Sequence, residues 1–198
     1  MYHISLLRAR IQWYTSHMEY PVRKPNRLKA YDYSTPGAYF ITICTGGRRC
    51  YLSTIPVGAI HESPAQRVIL TRAGKIVETV IESLPNRFED VCIDKYVIMP
   101  NHVHLLLRID NERAIHESPL RMEKQQDNIK RSMLSKVIGY LKMNSSKQIH
   151  LFAPDLVVWQ RSFYDHVIRD EKDYEEVWAY IDGNPGRWAE DELYAAED

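Results

Sequence analysis

The stretch CIDKYVIMPNHVHLLLRID, residues 92–110, constrains the fold more than any other part of the chain. Two β-branched and apolar runs meet at Pro100-Asn101, and such a pair between extended segments reads as the turn of a hairpin. A lone hairpin is marginal in water, so it demands further strands and a covering layer. GAYFITICT (37–45) reads as another strand, ended by Gly46-Gly47. RAGKIVETVIESL (72–84) carries Ile76, Val77, Val80, Ile81 and Leu84 at helical spacing, with Pro85 as its predicted stop. SMLSKVIGYLKMNSSKQI (132–149) puts Leu134, Val137, Ile138 and Leu141 on one face, which makes a second helix. FYDHVIR (163–169) reads as a short strand. DEKDYEEVWAYIDGNP (170–185) reads as a last helix, capped by Asp170 and closed at Gly183 and Pro185. Tyr174, Val177, Trp178 and Ile181 form its predicted core stripe.

The order is therefore β-α-β-β-α-β-α. The first six elements match the split βαβ, ferredoxin-like βαββαβ arrangement, an α+β fold with an antiparallel sheet and two helices on one face. The C-terminal helix is an addition to it. Because that arrangement hosts many unrelated functions, the chemistry has to be read from particular residues.

Charge divides the chain. The formal net charge of zero over 198 residues is a cancellation. Residues 1–50 carry a balance of +6, residues 51–164 of +3 and residues 165–198 of −9. This asymmetry predicts a basic N-terminal extension (1–35), a domain over 36–188 and an acidic tail (189–198) that repels phosphates or occupies the basic face. No apolar run approaches the ~18 residues of a membrane helix, so no membrane partner is expected. The N-terminal MYHISLLRARIQWY is cut by Arg8 and Arg10, unlike a secretory signal. Cys44, Cys50 and Cys92 include no CxxC pair, which fits a reducing compartment, and a cytoplasmic location is expected.

AIHESP occurs twice, at 59–64 and 114–119, in predicted loops. The unit is too short for a solenoid repeat. Its His61 and His116 each neighbour a glutamate, a weak metal signal, and a short DNA element inserted twice accounts for it better.

Stronger chemistry lies in His102-Val103-His104. Side chains two apart on a strand share a face, so both imidazoles project together and can chelate a divalent ion. A hydrogen-bonded histidine pair on a sheet face is the competing reading. On the final helix Tyr180 falls outside the core stripe, and Asn184 follows four residues later on the same side. A tyrosine beside a metal can attack phosphorus while the ion polarises a phosphoryl oxygen, and the asparagine offers a neutral oxygen ligand. The competing reading of Tyr180 is an amphipathic residue at the rim of the core.

YVIMPNHVHLLL (96–107) resembles the HUH signature of single-tyrosine transposases of the insertion-sequence-200-like superfamily. RKPNRLKAYDYSTPGAYFITICT (23–45), VWQRSFYDHVIR (158–169) and YIDGNP (180–185) narrow the resemblance to the REP-associated tyrosine transposases. It covers roughly residues 20–188, so residues 1–17 precede it and Met18 is a second candidate start. The resemblance implies a metal-dependent endonuclease and strand transferase acting on single-stranded or hairpin DNA. It implies Mg²⁺ or Mn²⁺ held by His102, His104 and Asn184, and a 5′-phosphotyrosine formed on Tyr180. Tyr164 and Tyr174 are lesser candidates for the nucleophile.

Phosphate contacts are expected from Arg23, Lys24, Arg27, Lys29, Arg48 and Arg49. Tyr31, Tyr33 and Tyr39 are candidates for stacking on unpaired bases. The protein is expected to act as a monomer or homodimer. The alternative function is a catalytically inactive or domesticated nucleic-acid-binding module on the same fold.

Overall fold

In the computed structural model the described residues are 35–56, 68–110 and 132–194. Strand β1 (Gly37–Cys44), a 3₁₀ turn at Gly46–Arg48 and a two-residue strand β2 (Ser53–Thr54) come first. Strand β3 (Ile69–Leu70) leads into helix α1 (Arg72–Arg87), followed by the hairpin of β4 (Val91–Ile98) and β5 (His102–Ile109). Helix α2 (Met133–Ile149), strand β6 (Tyr164–Val167), helix α3 (Glu171–Gly183) and a 3₁₀ turn at Pro185–Glu190 complete the order.

The main sheet runs β4-β5-β1-β6, while β2 and β3 pair separately as a small ribbon. All pairings within both sheets are antiparallel. The first and last long-range strands flank each other, with the hairpin alongside, so the split βαβ, ferredoxin-like expectation holds. Side-chain alternation then sorts the two faces. Tyr39, Ile41 and Ile43 of β1 join Val103, Leu105 and Leu107 of β5 in one buried cluster with Val77, Ile81 and Leu84 of α1 and Val137, Ile138 and Leu141 of α2. Each such large side chain contributes roughly 1.5–3 kcal/mol on burial. The opposite face carries Phe40, Thr42, His102 and His104, and α3 lies against it, touching β4 and β5.

Helix starts follow the polar residues before them. Thr71, Ser132 and Asp170 accept bonds from the backbone N–H groups of Gly74, Ser135 and Asp173 respectively. Each cap satisfies one amide that the helix leaves unpaired. Pro85 does not stop α1, contrary to expectation. The helix runs on to Arg87, and Phe88 N–H closes it on Leu84 O at 2.9 Å. A proline in the last turn forfeits only one bond, to the carbonyl four residues back, so its cost is limited there.

The stripe expected on α3 is narrower than its spacing suggested. Ile181 is buried, Tyr174 and Val177 are half-buried, and Trp178 is 39% exposed. Polar anchors take up the difference. A register shift between Ile93 and Lys95 bulges β4 at Asp94. Tyr174 donates its hydroxyl to Asp94 at 3.1 Å, and Lys95 pairs with Asp182 while its Nζ lies 4.7 Å from the Trp178 ring centroid. The bulge thus seats α3 on the sheet.

The segment from 189 is not separate from the body as far as Tyr194. Trp188 is buried, Tyr194 packs edge-on against it with centroids 5.2 Å apart, and Leu193 O accepts from the Asn101 amide at 2.7 Å. No helix among the described residues is long and apolar enough to cross a membrane.

Candidate active site

The hairpin turn fixes the two histidines. Asn101, 1% exposed, holds the turn against both ends of the described chain. Its carbonyl accepts from Thr45 N–H at 2.9 Å, and its amide nitrogen donates to Arg48 O at 3.3 Å and Leu193 O at 2.7 Å. With both amide hydrogens directed at carbonyls, Asn101 Oδ1 is left to accept from His102 Nδ1 at 2.8 Å. His102 therefore carries its proton on Nδ1 and offers the lone pair of Nε2. His104 Nδ1 lies 2.9 Å from the Thr42 hydroxyl, the cross-strand partner its register dictates. The two Nε2 atoms point at each other, 3.0 Å apart. Two imidazole nitrogens at that distance share either one proton or one cation.

Burial keeps both rings neutral. It lowers the His102 pKa to about 4, with the Asp191 carboxylate opposing and Arg48 reinforcing. His104 is lowered well below its ordinary value by burial and by His102. Neutral imidazole is the ligating form, so the pair is prepared for a cation at neutral pH.

Two oxygen donors stand beside them. Asp191 Oδ2 is 4.0 Å from His102 Nε2, and one donor atom from each of His102, His104 and Asp191 falls within a 4.8 Å group. Asn184 is buried and donates its amide to Asp191 at 2.9 Å, yet its Oδ1 is buried without a partner. An orphaned buried carbonyl is costly unless something fills the gap. Two nitrogens, a carboxylate and a free amide oxygen make a mixed set that fits a divalent cation keeping some of its water.

Tyr180 flanks this group. Its ring centroid lies 5.3 Å from that of His104 and 5.8 Å from that of Phe40, and the residue is 39% exposed. Its pKa is raised above the ordinary phenol value, by burial first and then by Asp191 and Glu192, while Arg187 and Asn184 pull the other way. Without added positive charge the phenol stays protonated.

The sequence reading brought His102, His104, Tyr180 and Asn184 together, and they meet here. Tyr174 is turned away to Asp94, and Tyr164 is 46% exposed on the edge strand, opposite Thr42 and two strands from His104. Arg48 and Arg49 are exposed just after β1, with Gly47 and Arg48 both left-handed at φ 65° and 56°. Arg23, Lys24, Arg27 and Lys29 lie outside the described residues, as do Tyr31, Tyr33, His61 and His116. Tyr39 is a correction. It is fully buried with its hydroxyl bonded to Thr35 O at 2.8 Å, so it belongs to the core and has no face for a base. Thr42 and Asp191 are not among the expected site residues, and Asn101 is expected only as part of the hairpin turn, although an asparagine directly before the histidines is a usable signal.

No protein-family model matches the chain. A Haemophilus influenzae protein of uncharacterized function is 34% identical over 177 residues, which covers 87% of this chain and 93% of that one. A second Haemophilus influenzae protein, named as a REP-associated tyrosine transposase, is 31% identical over 157 residues, 78% of this chain and 73% of that one. A solved REP-associated tyrosine transposase bound to a REP hairpin shares the fold at a TM-score of 0.51, with 18% identity and coverage of 87% and 93%. With similarity of this extent to a named relative, and with the same fold as a solved one, the chain belongs to the REP-associated tyrosine transposase family.

Proposed function

We propose that this protein is a metal-dependent endonuclease and strand transferase of single-stranded, hairpin-forming DNA, with Tyr180 as nucleophile. His102, His104 and Asn184 would hold Mg²⁺ or Mn²⁺, with Asp191 joining them. The observation that carries the reading is the position of Tyr180, 5.3 Å in centroid distance from one histidine of a converging pair. A bound cation would supply polarisation of a phosphoryl oxygen and offset the charge of a phenolate.

The chain's own residues do the rest. Asn101 and Thr42 orient the two rings from behind, which keeps both Nε2 atoms aimed at one point. Phe40 holds the Tyr180 ring edge-on, limiting its swing. Attack would join the Tyr180 oxygen to phosphorus and release a 3′-hydroxyl. The resulting 5′-phosphotyrosine conserves the energy of the broken bond for rejoining. Arg48 and Arg49, exposed beside the hairpin turn, would meet DNA phosphates, and Arg23, Lys24, Arg27 and Lys29 would extend that contact.

The test is a denaturing gel with end-labelled single-stranded hairpin DNA. Wild type with Mn²⁺ should give a protein–DNA band that protease removes, and EDTA should abolish it. A protein that binds the hairpin tightly but never forms that band is a binding module instead.

A further inference from the structure

The cleft beside Tyr180, about 230 Å³ in volume, is lined by Tyr180, Asn184, Arg187, Glu190, Asp191 and Glu192. Three carboxylates share it with one guanidinium, yet Arg187 forms no ion pair or side-chain hydrogen bond among the described residues. All its side-chain donors are left for something else. Its backbone is fixed, with the N–H on Asn184 O at 3.0 Å.

Gly183 bears on where this exposed guanidinium sits. Gly183 is not left-handed, so its backbone does not call for glycine. A Cβ there would lie 3.3 Å from Arg187 Nη2, 3.8 Å from Nε and 3.9 Å from Cζ. The Nη2–Nε edge of the guanidinium thus comes close to bare main chain at the end of α3, three residues past Tyr180.

We propose that Arg187 is a catalytic residue of the cleavage step, binding the non-bridging oxygens of the phosphodiester that Tyr180 attacks. This rests on the reading of Tyr180 as nucleophile. A planar fork of donors matches a phosphoryl group bidentately and adapts as phosphorus gains a fifth oxygen. In the step the Tyr180 oxygen bonds to phosphorus as the bond to the 3′ oxygen breaks. The phenolic proton passes to solvent and the departing 3′ oxygen takes one from solvent, so charge and atoms balance and Arg187 stays protonated throughout. Electrostatics makes the residue necessary. With a divalent cation bound, the three carboxylates are balanced only if the guanidinium is present, and without it the cleft repels a phosphodiester.

The test compares wild type, Arg187→Ala, Arg187→Lys and Tyr180→Phe as full chains with Mn²⁺ and labelled hairpin DNA. The rate of covalent-adduct formation is followed over a DNA concentration series. Mn²⁺ affinity by electron paramagnetic resonance and the melting temperature are measured alongside. Arg187→Ala should lower the maximal rate by about 10²–10³-fold, with Mn²⁺ affinity and melting held near wild type. Arg187→Lys should recover part of that loss, and added guanidinium should partly rescue Arg187→Ala but never Tyr180→Phe. An Arg187→Ala protein that reaches the wild-type maximal rate overturns the proposal while the Tyr180 reading stands. A rate loss matched by lost Mn²⁺ affinity, with no rescue, also overturns it. If Arg187→Ala does not fold, a folded Arg187→Lys with a wild-type maximal rate overturns it and a reduced one supports it. Wild type that forms no adduct defeats the Tyr180 reading, and this proposal falls with it.

Discussion

Asn184 gives its amide nitrogen to the Asp191 carboxylate at 2.9 Å and leaves its own Oδ1 buried and unpartnered. The bond fixes the asparagine's amide beside the carboxylate that lies 4.0 Å from His102 Nε2. Asp191 in turn accepts from Leu193 N–H at 2.6 Å, so the oxygen donors are fixed relative to each other before any ion arrives.

Asp191→Ala should therefore lower Mn²⁺ affinity by roughly 10- to 100-fold, since it frees Asn184 to rotate as well as removing a carboxylate. Titration calorimetry on the folded variant measures this. An affinity unchanged from wild type would remove Asp191 from the cation site.

Tyr180→Phe should lose the covalent adduct entirely while hairpin and Mn²⁺ affinity survive, because only a hydroxyl is removed. Tyr164→Phe and Tyr174→Phe should keep the adduct. If Tyr164→Phe alone lost it, the nucleophile would lie on the edge strand.

The buried histidines make cation-free protein sensitive to acid. His102 titrates at about 4 when folded, against an ordinary value of 6.5. Above pH 6.5 both states are neutral at this site and nothing is gained or lost. As pH falls from there toward 4 the unfolded chain takes up a proton that the folded one refuses. Stability should then drop by up to ~1.4 kcal/mol per pH unit from this group, with His104 adding in the same direction. Urea denaturation of EDTA-treated protein from pH 7 to 4 measures it. His102→Gln should flatten the slope.

Glu190 and Glu192 line the cleft without joining the histidine group. Replacing both by glutamine should tighten single-stranded DNA binding several-fold at low salt, and the gain should fade as ionic strength rises. Deleting residues 189–198 outright would also remove Asp191, so the point substitutions separate repulsion of phosphates from loss of a ligand.

Gly183→Ala should shift stability and activity in opposite directions. Alanine in the last helical turn stabilises by about 0.5–1 kcal/mol. The new methyl crowds Arg187 by a few tenths of an ångström, and the adduct rate should fall by roughly threefold. Thermal melts and initial rates on the same preparation check both signs.

What could be read from residue order alone follows the range of the forces involved. Period-two alternation placed His102 and His104 on one face, and a capping aspartate placed the start of α3, because both are local rules. The same alternation put Tyr39 with Ile41 and Ile43 on the buried face, and reading aromatic character ahead of register misplaced it. Trp178 follows helical spacing but is left outside by the narrow contact that the Asp94 bulge gives α3, a tertiary effect. The ribbon of β2 and β3 spans two residues on each side, too few to show a period. Asp191 reaches the histidines through an irregular 3₁₀ turn, and no periodic pattern carries a residue across such a turn.

The distance in sequence between His102 and Asp191 also orders events in time. A ribosome adding about 5–20 residues per second needs roughly 4 to 18 s to travel from one to the other. For most of that interval the histidine pair exists without the tyrosine and asparagine, and to its end without the carboxylate. On the proposed reading, a chain stopped short of Tyr180 would carry the paired histidines without the group that attacks phosphorus.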